Sequence, residues 1–193
     1  TSQVFGISSN GIDSDVLIWG AQLEQLSYPT SYIPTSGQSG GVTRAAEDCK
    51  FDRLGDYLGT NEGTLFIKGI TPSVSQSGYF FDLSDGVNVS TNRIAMYTFG
   101  TSLNQFVLYT GNSIVFDMHN ATEVNIAISW SGTELKFYLN GALNLTKNIN
   151  LTNPTKINLS RRFTNTNLST SKFKTIAVFK EALSDTELAC LTS

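Results

Sequence analysis

From residue 62 onward the chain is broken by turn signals too often to hold long helices, and the runs between them are short and rich in β-branched and aromatic residues. Thr64–Lys68, Tyr79–Leu83, Arg93–Phe99, Gln105–Tyr109, Ile114–Asp117, Val124–Trp130, Leu135–Leu139, Lys156–Leu159 and Phe173–Phe179 read as strands. Between them lie Ser84-Asp85-Gly86, Thr110-Gly111-Asn112, Ser131-Gly132-Thr133 and Asn140-Gly141. Asn-Gly between two strands is a strong hairpin signal, because both residues tolerate positive φ. One segment departs from this rhythm. Ser184 and Glu187 stand at capping-box spacing, which predicts a short helix near the end of the chain. The expectation is an all-β fold: an antiparallel β-sandwich with an extended N-terminal arm and a short C-terminal helix.

Alternation assigns faces. Val124, Ile126, Ile128 and Trp130 share one side of their strand, and Leu135, Phe137 and Leu139 share one side of the next. Both sets read as core, Trp130 included. This turns Tyr138 outward. Tyr109 is in phase with Gln105 and Val107, so it also reads as outward, while Tyr97 is not fixed by phase. Tyr97, Tyr109 and Tyr138 are therefore the candidate ligand-binding residues. The same rings serve equally as subunit contacts or ordinary sheet surface.

Composition narrows the partners. The 193 residues include only 15 % charged residues, with a net charge of −3 and no basic run. Nucleic acid is not an expected partner, because phosphate neutralisation needs clustered Lys and Arg. No apolar run approaches the roughly 20 residues that span a bilayer, so membrane insertion is not expected. Cys49 and Cys190 fit no metal motif and read as two free, partly buried thiols. Asn-x-Ser/Thr sequons at Asn88, Asn120, Asn144, Asn150, Asn158 and Asn167 read as chance in an Asn-rich chain. The chain starts with Thr rather than Met, the expectation being a fragment or processed product.

The first third reads differently. Val16-Leu17-Ile18-Trp19 is a short buried-strand run, Pro29 and Pro34 favour extended backbone, and Ser36-Gly37-Gln38-Ser39-Gly40-Gly41 is a Gly/Ser linker. Residues 1–35 are read as the end of a preceding β module or arm, 36–61 as linker and lead-in, and 62–193 as the sandwich.

Three blocks carry a family resemblance: Trp19-Gly20-Ala21-Gln22-Leu23-Glu24, then Tyr28-Pro29-Thr30-Ser31-Tyr32-Ile33-Pro34-Thr35, then Thr43-Arg44-Ala45-Ala46. In this order they resemble a segment of tailed-bacteriophage tail fibres and receptor-binding proteins, where it joins a β-rich module to a concanavalin-like, laminin-G-like sandwich. Leu135–Gly141 is similar to the central hairpin of laminin-G-like domains, and Ile176–Phe179 with Ala182–Leu188 to their closing signature. Arg161-Arg162-Phe163 replaces the Gly-rich turn usual before the last strand. The resemblance implies a virion setting exposed to the extracellular medium, a homotrimer, other virion proteins as partners, and attachment to a host-surface receptor, a glycan in first place. The position of the closing helix suits the C-terminal end of such a fibre.

Chemistry is sparse. Laminarinase-type hydrolases of this fold carry Glu-x-Asp-x-x-Glu on one strand, and retaining hydrolysis needs two carboxylates about 5 Å apart. Glu47-Asp48, Asp82, Asp85 and the pair Asp185/Glu187 form no such strand pattern. The last two suit a helix N-terminus instead. His119, the single histidine, lies beside Asp117 and Asn120 without a Gly-x-Ser-x-Gly elbow and reads as a surface-loop residue. No cofactor is expected; the resemblance makes calcium the first candidate, because some laminin-G-like domains bind it between loops and Asp82, Asp85 and Asn88 offer hard oxygen ligands, but Asp85-Gly86 reads first as a plain turn. The expected function is non-enzymatic host attachment by a tail-fibre module. The alternatives are a purely structural virion or decoration domain and a polysaccharide depolymerase.

Overall fold

The computed structural model describes residues 32–34, 37, 42, 48–71, 78–87, 92–98, 105–109, 113–117, 123–149, 151, 153–162, 169 and 171–193, with backbone alone for 105–108 and 113–117. The Trp19 block, His119, the Thr110-Gly111-Asn112 turn and the sequons at Asn88, Asn120, Asn150 and Asn167 lie outside these residues. The chain divides into two compact units, Thr1–Glu47 and Asp48–Ser193. Of the first, residues 32–34 carry no regular secondary structure and Gly37 sits in a turn with φ +81°.

The second unit is a β-sandwich. Its elements are β1 (Lys50–Phe51), a 3-10 turn (Leu54–Asp56), β2 (Glu62–Ile70), β3 (Tyr79–Ser84), β4 (Arg93–Thr98), β5 (Gln105–Tyr109), β6 (Ser113–Asp117), β7 (Glu123–Ser131), β8 (Glu134–Leu139), β9 (Ala142–Asn148), β10 (Lys156–Leu159), β11 (Lys172–Phe179) and α1 (Asp185–Thr192). One sheet has the order β1-β10-β3-β4-β5-β6 and the other β11-β2-β7-β8-β9. All pairings are antiparallel. Every run from residue 62 onward read as a strand is one, with ends moved by a residue or two, whereas the Val16-Leu17-Ile18-Trp19 run lies outside the described residues. β1 is too short to show alternation in sequence. β9 follows the Asn140-Gly141 turn, where φ is +49° and +83°, the left-handed pair that a tight hairpin requires.

The core forms where the sheets meet. Leu65, Ile67, Ile126, Ile128, Trp130, Leu135 and Phe137 of one sheet pack against Phe80, Phe81, Leu83, Ile94 and Met96 of the other. Phe80 stacks on Phe173 across the sandwich at 5.0 Å between centroids. Both Phe80 and Phe81 reach the core because a bulge between Tyr79 and Phe81 resets the alternation. Trp130 is 1 % exposed, as its strand phase predicts. Its ring leaves no room for a side chain at position 63: a Cβ on Gly63 would meet the indole at 2.8 Å.

A second, smaller cluster lies on the outer face of the five-stranded sheet. Phe66, Ala127, Tyr138 and Leu188 are buried there, with Ala177, Phe179, Leu183, Ala189 and Leu191 around them. Helix α1 covers this face by contacting β7, β8 and β9. Its start is a full capping box. The Glu187 amide donates to Ser184 Oγ (3.4 Å), and the Ser184 amide donates to Glu187 Oε2 (2.8 Å). Thr64 Oγ1 ties the incoming segment down, donating to the Glu181 carbonyl (2.9 Å) and accepting from the Leu183 amide (3.0 Å).

Two expectations are corrected. Tyr138 points away from the main core, as phase predicts, but it is not at the surface. It is 4 % exposed because α1 lies over it. Cys49 and Cys190 are free thiols, and both are exposed rather than partly buried: one precedes an edge strand, the other sits on the solvent side of α1. No helix among the described residues is long and apolar enough to cross a membrane.

Candidate functional site

The outer face of the six-stranded sheet has a different chemistry. Register places Lys50, Asn158, Asp82, Ala95 and Tyr109 in one row across β1, β10, β3, β4 and β5. Lys156, Ser84 and Arg93 form the next row, and Tyr79 faces Tyr97 in another. All alternate with core residues Leu83, Ile94, Met96, Ile157 and Leu159.

At the centre is a buried ion pair. Arg93 Nε donates to Asp82 Oδ1 at 2.9 Å, and Arg93 Nη2 donates to Asp82 Oδ2 at 2.8 Å. The arginine side chain is 5 % exposed and the aspartate 0 %. The guanidinium carbon also lies 5.2 Å from the Tyr79 ring centroid and 5.4 Å from that of Tyr109. Tyr79 in turn stacks on Tyr97, with centroids 4.8 Å apart and planes 18° from parallel. The result is a continuous stack, Tyr109–Arg93–Tyr79–Tyr97. Burial is the largest influence on Arg93 and pulls its pKa down. The hydrogen bonds and charge of Asp82, with help from Tyr79, outweigh it and hold the guanidinium above its usual value. Tyr79 is buried, whereas Tyr97 and Tyr109 are partly exposed.

The structure thus brings Tyr97 and Tyr109 onto one face, on neighbouring strands. Tyr138 belongs to the other sheet, beneath α1, where burial and a hydrogen bond to Asp185 push its phenol up. Arg93 and Tyr79 were not singled out in the sequence. The alternation Arg93, Ala95, Tyr97 against Ile94 and Met96 puts the arginine on the tyrosine's side, but the pairing of β4 with β3 is needed to find Asp82.

Of the calcium set, Asp82 and Asp85 already have protein partners. Both oxygens of Asp82 are taken by Arg93, because the sheet register stands the two residues on adjacent strands. Asp85 Oδ1 accepts from the Val87 amide (2.8 Å), and Oδ2 accepts from Asn92 Nδ2 (2.9 Å), as an Asx turn does. Asn88 lies outside the described residues. Among the described residues no group of three or more His, Cys, Asp or Glu is placed to hold a metal ion.

Toward the β1 edge the charges are matched. Lys156 Nζ is 3.7 Å from Asp52, and Lys50 Nζ is 3.5 Å from Asp48 and 3.7 Å from Asp52. Arg161 pairs with Asp48. Asp185 and Glu187 sit on the opposite side of the sandwich, with Lys136 and in the helix cap respectively.

No protein-family model matches the chain, and no curated protein matches it in sequence. Solved structures do resemble it. The CBM40 module of Ruminococcus gnavus IT-sialidase bound to alpha2,3 sialyllactose superimposes with a TM-score of 0.51 at 17 % identity, covering 70 % of this chain and 84 % of that one. The heptameric SAP-like pentraxin from Limulus polyphemus gives 0.55 at 16 % identity, covering 75 % and 74 %. NanB sialidase from Streptococcus pneumoniae gives 0.54 at 16 % identity; the match covers 74 % of this chain and only 26 % of NanB. Likeness at this identity establishes the fold, a laminin-G-like jelly-roll β-sandwich.

Proposed function

We propose that this chain is a non-catalytic, glycan-binding sandwich module of a bacteriophage tail fibre or similar virion appendage, which attaches to the host surface. The observation that carries the reading is the Tyr97/Tyr109 face, two partly exposed rings held in place by the Arg93–Asp82 pair. Aromatic rings stack on the apolar faces of sugars, and rigidly positioned rings do so at low entropic cost. The same fold serves a sialyllactose-binding module among the structural neighbours. The virion setting rests on the three N-terminal sequence blocks. Homotrimeric assembly beside other virion proteins would turn a shallow, weak site into firm attachment through multivalency.

The test is adsorption. The purified chain, with its oligomeric state fixed by light scattering, is added to candidate host cells and challenged with the parent particle. Saturable binding that blocks adsorption is expected. Tyr97→Ala and Tyr109→Ala should each weaken it about 2- to 13-fold, from ~0.5–1.5 kcal/mol per aromatic contact. A folded oligomer that neither binds nor competes would make the domain a structural spacer, and release of reducing ends from capsule would make it a depolymerase.

A further inference from the structure

The sheet face also bears on which kind of glycan it takes. We propose that the site selects an uncharged sugar, because Arg93, the cation placed against Tyr109 and Tyr79 among the described residues, is already committed to Asp82 inside the sheet face. This rests on the reading that the Tyr97/Tyr109 face is the glycan site.

The argument is one of supply. An acidic sugar gains affinity when its carboxylate meets a guanidinium that is free to fork onto it. Arg93 has its Nε and Nη2 on the two Asp82 oxygens at 2.9 and 2.8 Å, and its guanidinium carbon lies over the Tyr79 and Tyr109 rings. Capturing a second carboxylate there would put two like charges on one buried cation, or strip a buried aspartate of its partner. The other described cations that strand phase places on this face are Lys50 and Lys156. They stand on β1 and β10, at least two strands from the tyrosine-bearing β4 and β5, which is on the order of 10 Å or more at ~4.8 Å per strand. Each is already paired with an aspartate. Among the described residues, the cations that strand phase places on this face, Arg93, Lys50 and Lys156, thus all have acidic partners.

The experiment titrates the full chain by calorimetry and saturation-transfer NMR with matched neutral and acidic probes: lactose against 3′- and 6′-sialyllactose, and chitohexaose and maltoheptaose against hyaluronate and polygalacturonate oligomers. Each is run at low and high salt. The expected result is binding to at least one neutral probe, lost in Tyr97→Ala/Tyr109→Ala. Its acidic counterpart should bind more weakly, by about threefold or more, with little salt dependence. Acidic probes bound as tightly as or more tightly than their neutral counterparts, or bound alone, would overturn the inference and leave the glycan reading standing, and collapse of that binding at high salt would show that charge carries it. Neutral binding untouched by the tyrosine variants would move the site elsewhere and overturn it too. A folded chain that binds no probe of either charge would count against the glycan reading itself, and the inference would fall with it.

Discussion

Asp82→Asn is the sharpest probe of the sheet face. The substitution keeps the side chain's shape and removes only its charge. Arg93 then keeps a buried positive charge with a neutral amide where the bidentate carboxylate stood, at side-chain exposures of 5 % and 0 %. Breaking one side of such a pair costs about 3–5 kcal/mol. For a unit of this size that is roughly 6–20 °C in Tm, or about 2 M in the urea midpoint with a slope of ~2 kcal/mol/M. It is also a large share of the ~5–15 kcal/mol that a domain has to lose. Urea unfolding followed by circular dichroism reads it directly. The companion is Asp82→Leu with Arg93→Met, which removes both charges and should recover most of the loss, since well-packed apolar replacements of buried pairs are often neutral. A loss below about 0.5 kcal/mol in Asp82→Asn would mean that water reaches the pair. A double variant as unstable as the single would mean that stacking of Arg93 between Tyr79 and Tyr109, not charge pairing, carries the energy.

Three further outcomes are expected. Gly141→Ala, at φ +83° in the β8–β9 turn, should lose about 1–2 kcal/mol by urea titration, while Gly55→Ala, without a positive φ and with room for a Cβ, would not. The docking of α1 should weaken in acid: Asp185 is held below the usual carboxylate value by its hydrogen bonds from Lys136 and Tyr138, and Glu187 by those from Ser184, so their contribution is present above the unfolded-state pKa and fades as pH falls through the lowered one. The protection factor of the Leu188 amide, its exchange rate set against the intrinsic rate at the same pH, should therefore fall as pH drops below about 4, and an unchanged protection factor would refute the coupling. Chelation should leave Tm unchanged, because Asp82 and Asp85 already have protein partners; a rise in Tm on adding millimolar calcium would show a site those hydrogen bonds do not predict.

The strands were legible because this chain alternates cleanly where one sheet side is buried, as in Val124 to Trp130. The hairpin was legible because Asn140-Gly141 has the one chemistry that suits its backbone. The capping box gave α1 its start. What helix docking hides could not be read from strand phase. Alternation says which side of β8 Tyr138 occupies, not whether another layer lies on that side. The same limit hid the charged pair. Asp82 looked like an available oxygen ligand because its partner is 11 residues away and meets it only through strand register.

The helix layer makes the sandwich lopsided. Its five-stranded side is sealed by Leu188 and Tyr138, and changes there are paid in foldedness. On the other side the deep part of the face is fixed by one ion pair, and the outer reaches of Tyr97 and Tyr109 lie beyond it. Such a division lets recognition drift while the scaffold stays put. On the proposed host-attachment reading, a lineage under pressure to change hosts would substitute along that tyrosine margin and keep Arg93 and Asp82, a pattern that sequencing of escape-selected variants would reveal.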